Sequence, residues 1–179
     1  MYGGAMKAVM VVDMVNDFVT GKLGSPRAQK VVPRLRAFLK RARSNGLPVV
    51  YVCDAHLPGD PELKLWGEHS MKGSEGAKIV DELSPKEGDL VFEKQCYDAF
   101  QNPTLDAELK RLGVDELIMT GVATNICVQN TAGDASFKGY QVTVVEDCTE
   151  APSEEEHRQG LKYMKTMYGA KVVKSDEAL

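Results

Sequence analysis

Four glycines punctuate this chain in the same way. Gly46, Gly113, Gly139 and Gly169 each close an amphipathic or polar stretch and precede an apolar run of strand length. A glycine just past a helix is the common αL cap, because it takes positive φ without steric penalty. The runs marked in this way are residues 48–53, 116–121, 141–146 and 171–174, with 6–12 opening the series and 90–93 lying between. The helical stretches have their own signals. Residues 28–44 place Val31, Val32, Leu35, Phe38 and Leu39 on one stripe. A short helix is expected over 76–83. Asn102 as N-cap and Pro103 at the first position open another, ending at Leu112. A helix is expected over 126–138, and Ser153-Glu154-Glu155-Glu156 forms a capping box for one running to Tyr168. Strands that alternate with helices pair in parallel, because crossovers of this length return the chain to the same edge. The expected fold is α/β, a three-layer α/β/α sandwich around a mostly parallel sheet of about six strands. One domain is expected over residues 1–179.

Charge narrows the range of partners. Lys and Arg number 22 against 26 Asp and Glu, a net charge of −4 with no basic stripe, so we expect no nucleic-acid partner. No apolar stretch approaches the ~20 residues that span a bilayer, so no membrane partner is expected. The opening MYGGAMKAVMVVD lacks a positive n-region, and no signal peptide is expected; residues 1–5 read as a tail. The cysteines, Cys53, Cys96, Cys127 and Cys148, form no C-x-x-C pair. Sparse cysteines suit four free thiols in a reducing cytoplasm. Residues 54–74 form a polar connection too long for a simple turn, which marks it as functional.

Three strands end on chemistry. VMVVDMVNDF brings an apolar run to Asp13, followed by Asp17 and Phe18. LVFEKQCYDAF ends a short strand at Glu93 and Lys94, and LIMTGVATNICV ends one at Thr120-Gly121, with Cys127 at the expected start of a helix. The carboxyl ends of parallel strands share one edge, where ligands bind. A thiol in a first helical turn faces unpaired N–H groups and the positive dipole end, which favours thiolate. Taken singly, Asp13 fits a capping carboxylate, Lys94 a surface amine and Cys127 a core thiol. Together they supply a base, a fixed cation and a nucleophile, the set that amide hydrolysis requires.

These motifs resemble the isochorismatase-like cysteine hydrolases, which include nicotinamidases and N-carbamoylsarcosine amidases. The resemblance runs from Met6 to about Val173, and G-V-A-T-N-I-C-V is its most specific part. It implies catalysis by Asp13, Lys94 and Cys127 on a small-molecule amide through a thioester. It also implies a cis peptide between Val122 and Ala123, with the N–H groups of Ala123 and Cys127 as oxyanion donors. Phe18, Trp66, Tyr97 and Thr124 are expected to wall the pocket, and Asp98 replaces a serine of the family at its mouth. Asp54, His56 and His69 match the metal ligands of nicotinamidases, implying zinc and no organic cofactor. D-A-H-L and W-G-E-H-S depart from the nicotinamidase surroundings, which turns the expected substrate toward a carbamoyl or ureido compound of the N-carbamoylsarcosine type. Nicotinamide is the alternative. The third histidine, His157, is expected at the surface, and a homo-oligomer, dimer or tetramer, is implied by the family.

Other classes fit less well. A D-x-D phosphatase needs Asp at position 15, where Val15 stands, and a dinucleotide-binding turn needs glycines where Met14-Val15-Asn16 stand. A receiver-like domain is shorter and has no cysteine turn. A catalytically inactive α/β module that only binds a ligand is the alternative of another class.

Overall fold

The computed structural model describes residues 6–179; residues 1–5 lie outside them. The chain runs β1 (Met6–Val12), α1 (Asn16–Val19), α2 (Pro26–Ser44), β2 (Val49–Asp54), α3 (Leu63–Trp66), β3 (Leu90–Lys94), α4 (Leu105–Arg111), β4 (Val114–Val122), α5 (Gln129–Phe137), β5 (Gln141–Glu150), α6 (Glu154–Met167) and β6 (Lys171–Val173). The six strands form one sheet in the order β3-β2-β1-β4-β5-β6. Every pairing is parallel. The α/β fold inferred from the glycine punctuation is the one observed, and the four cap glycines have φ between 66° and 93°.

Strand alternation splits the core in two. Val9, Val11, Val49, Tyr51 and Ile118 face α2, whose Val31, Val32, Leu35, Phe38 and Leu39 cover that side. Ala8, Met10, Val12, Val50, Leu117 and Met119 face the other way, onto Leu105 and Leu109 of α4, Ala132 and Ala135 of α5 and Met164 of α6. Both sheet faces are therefore dry, as near-continuous apolar strands require. The chain leaves β1 toward β2 and β3, then crosses to the other side with β4. The topological switch point therefore lies between the carboxyl ends of β1 and β4.

Local departures from the sequence expectations have physical causes. The expected helix over 76–83 is two single 3₁₀ turns, Glu75–Ala77 and Asp81–Leu83. Between them Ile79 bridges to Val15 and the Val80 N–H donates to the Met14 carbonyl, so pairing with another segment overrides local propensity. Helix α4 begins at Leu105, because Asn102 folds back on Thr104 N–H (3.0 Å) and donates to the Glu93 carbonyl (2.7 Å). Helix α2 starts earlier than expected, with Ser25 as its N-cap and Pro26 in its first turn.

Gly121 pairs with Val12 at the carboxyl ends of β1 and β4. It has φ of 100°, and a Cβ there would stand 2.0 Å from the Val12 carbonyl oxygen. Only glycine combines that φ with that approach. We expect Gly121→Ala to cost about 3 kcal/mol or more of unfolding free energy in urea titration. A cost under about 0.5 kcal/mol, the range of neutral surface changes, would contradict this packing.

Candidate active site

The ends of β1, β2 and β3 lie side by side and deliver three charged side chains to one point. Asp54 and Lys94 are register partners on β2 and β3. Asp13 follows β1 with φ of 50°, an uncommon conformation for a residue with a Cβ. The turn is fixed by Asp13 N–H donating to the Val52 carbonyl (3.0 Å) and by Asp54 N–H donating to Asp13 Oδ1 (2.8 Å). Lys94 Nζ donates to Asp13 Oδ2 at 2.8 Å, to Asp54 Oδ1, and to the Cys96 carbonyl at 3.0 Å. All three side chains are about 1% exposed.

Cys127 comes to the same point from β4. One carboxylate oxygen each of Asp13 and Asp54 and the Cys127 sulfur lie within 4.8 Å of one another. The peptide between Val122 and Ala123 is cis. The helix expected over 126–138 is divided: one turn of π-helix, Thr124–Val128, carries Cys127, and α5 starts two residues later. The Ala123 carbonyl accepts from Ile126 N–H (3.0 Å) and from Val128 N–H (3.2 Å), the latter bond giving the turn its π character. Helix α6 packs directly on this turn at Gly160, where a Cβ would meet the Asn125 backbone at 3.0 Å.

Thr124 and His157 correct the sequence reading. Thr124 does not line the cavity described below. It is fully buried, and its hydroxyl bonds His157 Nδ1 at 2.7 Å. His157 is therefore no surface residue: it sits inside α6, against the reactive turn, 3.7 Å from Glu150. The turn outward to solvent that helical spacing permits is replaced by this polar contact inward.

The electrostatics also differ from a simple helix-terminus thiolate. Burial pushes the Cys127 thiol well up, as do the Asp13 and Asp54 charges, and Lys94 offsets only part of this. Burial and the neighbouring Asp54 raise the Asp13 carboxyl to about 6 against the pull of Lys94. Burial disfavours the Lys94 ammonium, but Asp13, Cys127 and Asp54 outweigh it and hold its pKa well above the usual lysine value. The resting arrangement is a protonated thiol beside a carboxylate whose basicity is raised, next to a fixed ammonium. The raised Asp13 carboxylate is a stronger base for the thiol proton than a free carboxylate, and the Lys94 ammonium beside it stabilises the anion on either side of the transfer.

A second cluster adjoins the first. Asp54, His56, Glu62 and His69 each offer one ligand atom, all within 4.8 Å of one another, and all four residues are buried. Asp54 Oδ2 lies 3.4 Å from His56 Nε2 and 3.9 Å from His69 Nε2; Glu62 Oε2 lies 3.6 Å from His56 Nε2. The opposite ring nitrogens are oriented from behind, His56 Nδ1 by Asp60 (3.0 Å) and His69 Nδ1 by the Gly67 carbonyl (2.8 Å). Asp54 Oδ2, His56 Nε2 and Glu62 Oε1 have no hydrogen-bond partner among the described residues. Burial first, and Asp54 second, raise the Glu62 carboxyl to about 7. Buried ligand atoms without partners, groups that orient both imidazoles from behind and crowded acids together fit a divalent cation. Asp54, His56 and His69 were named from sequence; Glu62 was not. Asp60, Glu62 and Glu68 all lie between the two histidines, and nothing in the sequence singles one out.

Both clusters open on a cavity of about 260 Å³ at the switch point. Asp13, Asp54, Glu62, His69 and Cys127 line it, with Phe18, Trp66, Tyr97, Ala123, Ile126 and Glu150 among its walls. Phe18 meets the His69 ring edge-on at 5.5 Å, and Trp66 Nε1 donates to the Tyr97 hydroxyl at 2.8 Å. Asp17 holds the connection after β2 over the site by accepting from Ser70 N–H at 2.7 Å. Asp98 does not face the mouth as a free charge; it caps the turn Ala99–Gln101 by accepting from Phe100 N–H at 2.9 Å. The four cysteines are free thiols.

Comparison with known proteins accords with this geometry. The structure resembles N-carbamoylsarcosine amidase from Thermoplasma acidophilum at 43% identity and a TM-score of 0.90, covering 95% of this chain and 96% of that one. It resembles nicotinamidase from Bacillus subtilis at 29% identity and a TM-score of 0.89, covering 94% and 99%. It also resembles pyrazinamidase of Pyrococcus horikoshii, solved in complex with zinc, at 27% identity and a TM-score of 0.88, covering 94% and 99%. No helix among the described residues is long and apolar enough to cross a membrane. The isochorismatase domain model matches residues 7–177, nearly the whole chain, and this protein belongs to the isochorismatase family.

Proposed function

We propose that the protein is a cysteine amidohydrolase that cleaves a C–N bond of a small non-peptide amide through a thioester on Cys127, with a carbamoyl or ureido compound as substrate. The observation that carries the proposal is the meeting of the Cys127 thiol and the Asp13 carboxylate at one small cavity, with the Lys94 ammonium bonded to Asp13 behind it. The likeness to an N-carbamoylsarcosine amidase supports the carbamoyl part of the reading. The volume of the cavity suits a small molecule rather than a chain segment.

The steps follow from the residues. Asp13 takes the thiol proton, and the thiolate attacks the carbonyl carbon. The negative charge that forms on oxygen is met by the N–H groups of Ala123 and Cys127. Asp13 returns its proton to the leaving nitrogen, which departs as ammonia or an amine and leaves a thioester. Water then attacks the thioester with Asp13 as base again, and the acid product and the thiol are released. Lys94 stays charged throughout, so a negative charge on Asp13 or sulfur is never without a partner in the dry site.

A second reading is nicotinamide hydrolysis, and the cluster of Asp54, His56, Glu62 and His69 favours it. The zinc in the pyrazinamidase relative supports metal binding at such a cluster. A divalent ion held there supplies Lewis-acid polarisation and a binding position for a substrate donor atom. The chain's own part is to bind and orient it: His56 and His69 present Nε2, and Asp54 and Glu62 present free oxygens.

Two outcomes are expected. Cys127→Ala should lower ammonia release from the best amide by at least about a thousandfold while leaving the circular dichroism spectrum unchanged. Turnover within tenfold of wild type would remove covalent catalysis, and no turnover by either protein over a broad amide panel would favour the inactive binding module. Protein purified without chelator should hold about one zinc ion per chain by elemental analysis, and Glu62→Gln with His69→Ala should lose it. Zinc added to the stripped wild type should alter the fluorescence of Trp66, the sole tryptophan, because α3 joins it to Glu62. Metal content unaffected by the double substitution would contradict the assignment.

A further inference from the structure

We infer that Glu150 sets the charge of the substrate, so that the cavity takes a neutral or cationic ureido compound and rejects one that carries a carboxylate. This rests on the amidohydrolase reading above and concerns the part of the substrate that is not cleaved. No arginine or lysine is among the residues that line the cavity, whereas Asp13, Asp54, Glu62 and Glu150 are. The nearest ammonium, Lys94, is engaged by two carboxylates and a carbonyl. A substrate carboxylate placed at the Glu150 end would therefore lose its water without gaining a side-chain counter-ion.

Glu150 is held in place by groups behind it. Its Oε1 accepts from Arg27 Nη2 at 2.6 Å and from Ala151 N–H at 3.0 Å. Arg27 is not free to turn toward a substrate anion. The same Nη2 reaches Glu154 at 2.8 Å, and Nε donates to the Ala151 carbonyl at 3.2 Å. No partner is found for Glu150 Oε2 among the described residues, which leaves one oxygen of a fixed carboxylate to accept from a substrate N–H or ammonium. Ser25, Ala151 and Pro152, which line the same end, add no charge.

A matched series reads the preference. Ethylurea, N-(2-aminoethyl)urea and N-carbamoylglycine differ chiefly in the charge at one end. For the wild type we expect kcat/KM for N-carbamoylglycine to be at least about tenfold below that for ethylurea, with the aminoethyl compound equal to or above ethylurea. In Glu150→Gln the ratio between the anionic and cationic compounds should narrow by about tenfold or more. Calorimetric binding of the three compounds to Cys127→Ala gives the same order without turnover. That order with no cleavage of any urea would overturn the ureido substrate of the proposed function and leave the charge selection standing. N-carbamoylglycine cleaved or bound as well as ethylurea, no preference in either measurement, or a ratio unmoved by Glu150→Gln would overturn the role of Glu150.

Discussion

The Lys94 ammonium, buried between Asp13 and Asp54, is the interaction on which the rest of the site depends. An ammonium and two carboxylates taken out of water are tolerable only as a set, and removing one partner from such a set costs roughly 3–5 kcal/mol. The set is assembled by the fold itself. Parallel pairing of β1, β2 and β3 places three strand ends in one row, and the Asp54 N–H on Asp13 Oδ1 fixes the row in register. Lys94 thereby lets two acids stand side by side, one for each function. Asp13 faces the thiol, and Asp54 turns its second oxygen toward two imidazoles.

Burial gives this cluster its chemistry. It raises the Asp13 carboxyl, which makes Asp13 a stronger base, and it raises the thiol as well, so an anion on either group depends on the Lys94 charge. The helix dipole, which alone would favour thiolate, acts here at the end of a π-turn and is outweighed by desolvation. The turn in turn rests on α6, through Gly160 and through the contact of Thr124 with His157. A helix remote in sequence thus supports the turn that carries Cys127.

Much of this could be read from residue order. Asp13, Lys94 and Cys127 each follow an apolar run, and parallel strands bring such ends to one edge, so their meeting required only the fold class. Glu62 was hidden because its position depends on how the connection after β2 folds back, and that path is set by Asp17 holding Ser70 from another segment. His157 was misread because helical periodicity shows where a side chain stands and not that Thr124 waits opposite it. Asp98 stands outside the cavity lining for a related reason: its side chain accepts from the Phe100 N–H of its own turn. In each case the deciding partner lies in a loop or turn whose geometry no periodicity encodes.

A buried Cys127 thiol that Asp13 and Lys94 activate should be the most reactive thiol of the four. Timed alkylation with iodoacetamide at neutral pH, read by peptide mass spectrometry, tests it most directly. Accessibility alone ranks Cys96 first, because it is the only cysteine of the four that is not buried. The account predicts the opposite: Cys127 is labelled before Cys96, Cys53 and Cys148, and Asp13→Asn abolishes that lead. Labelling that follows exposure, with Cys96 first and Cys127 slow in both proteins, would contradict it.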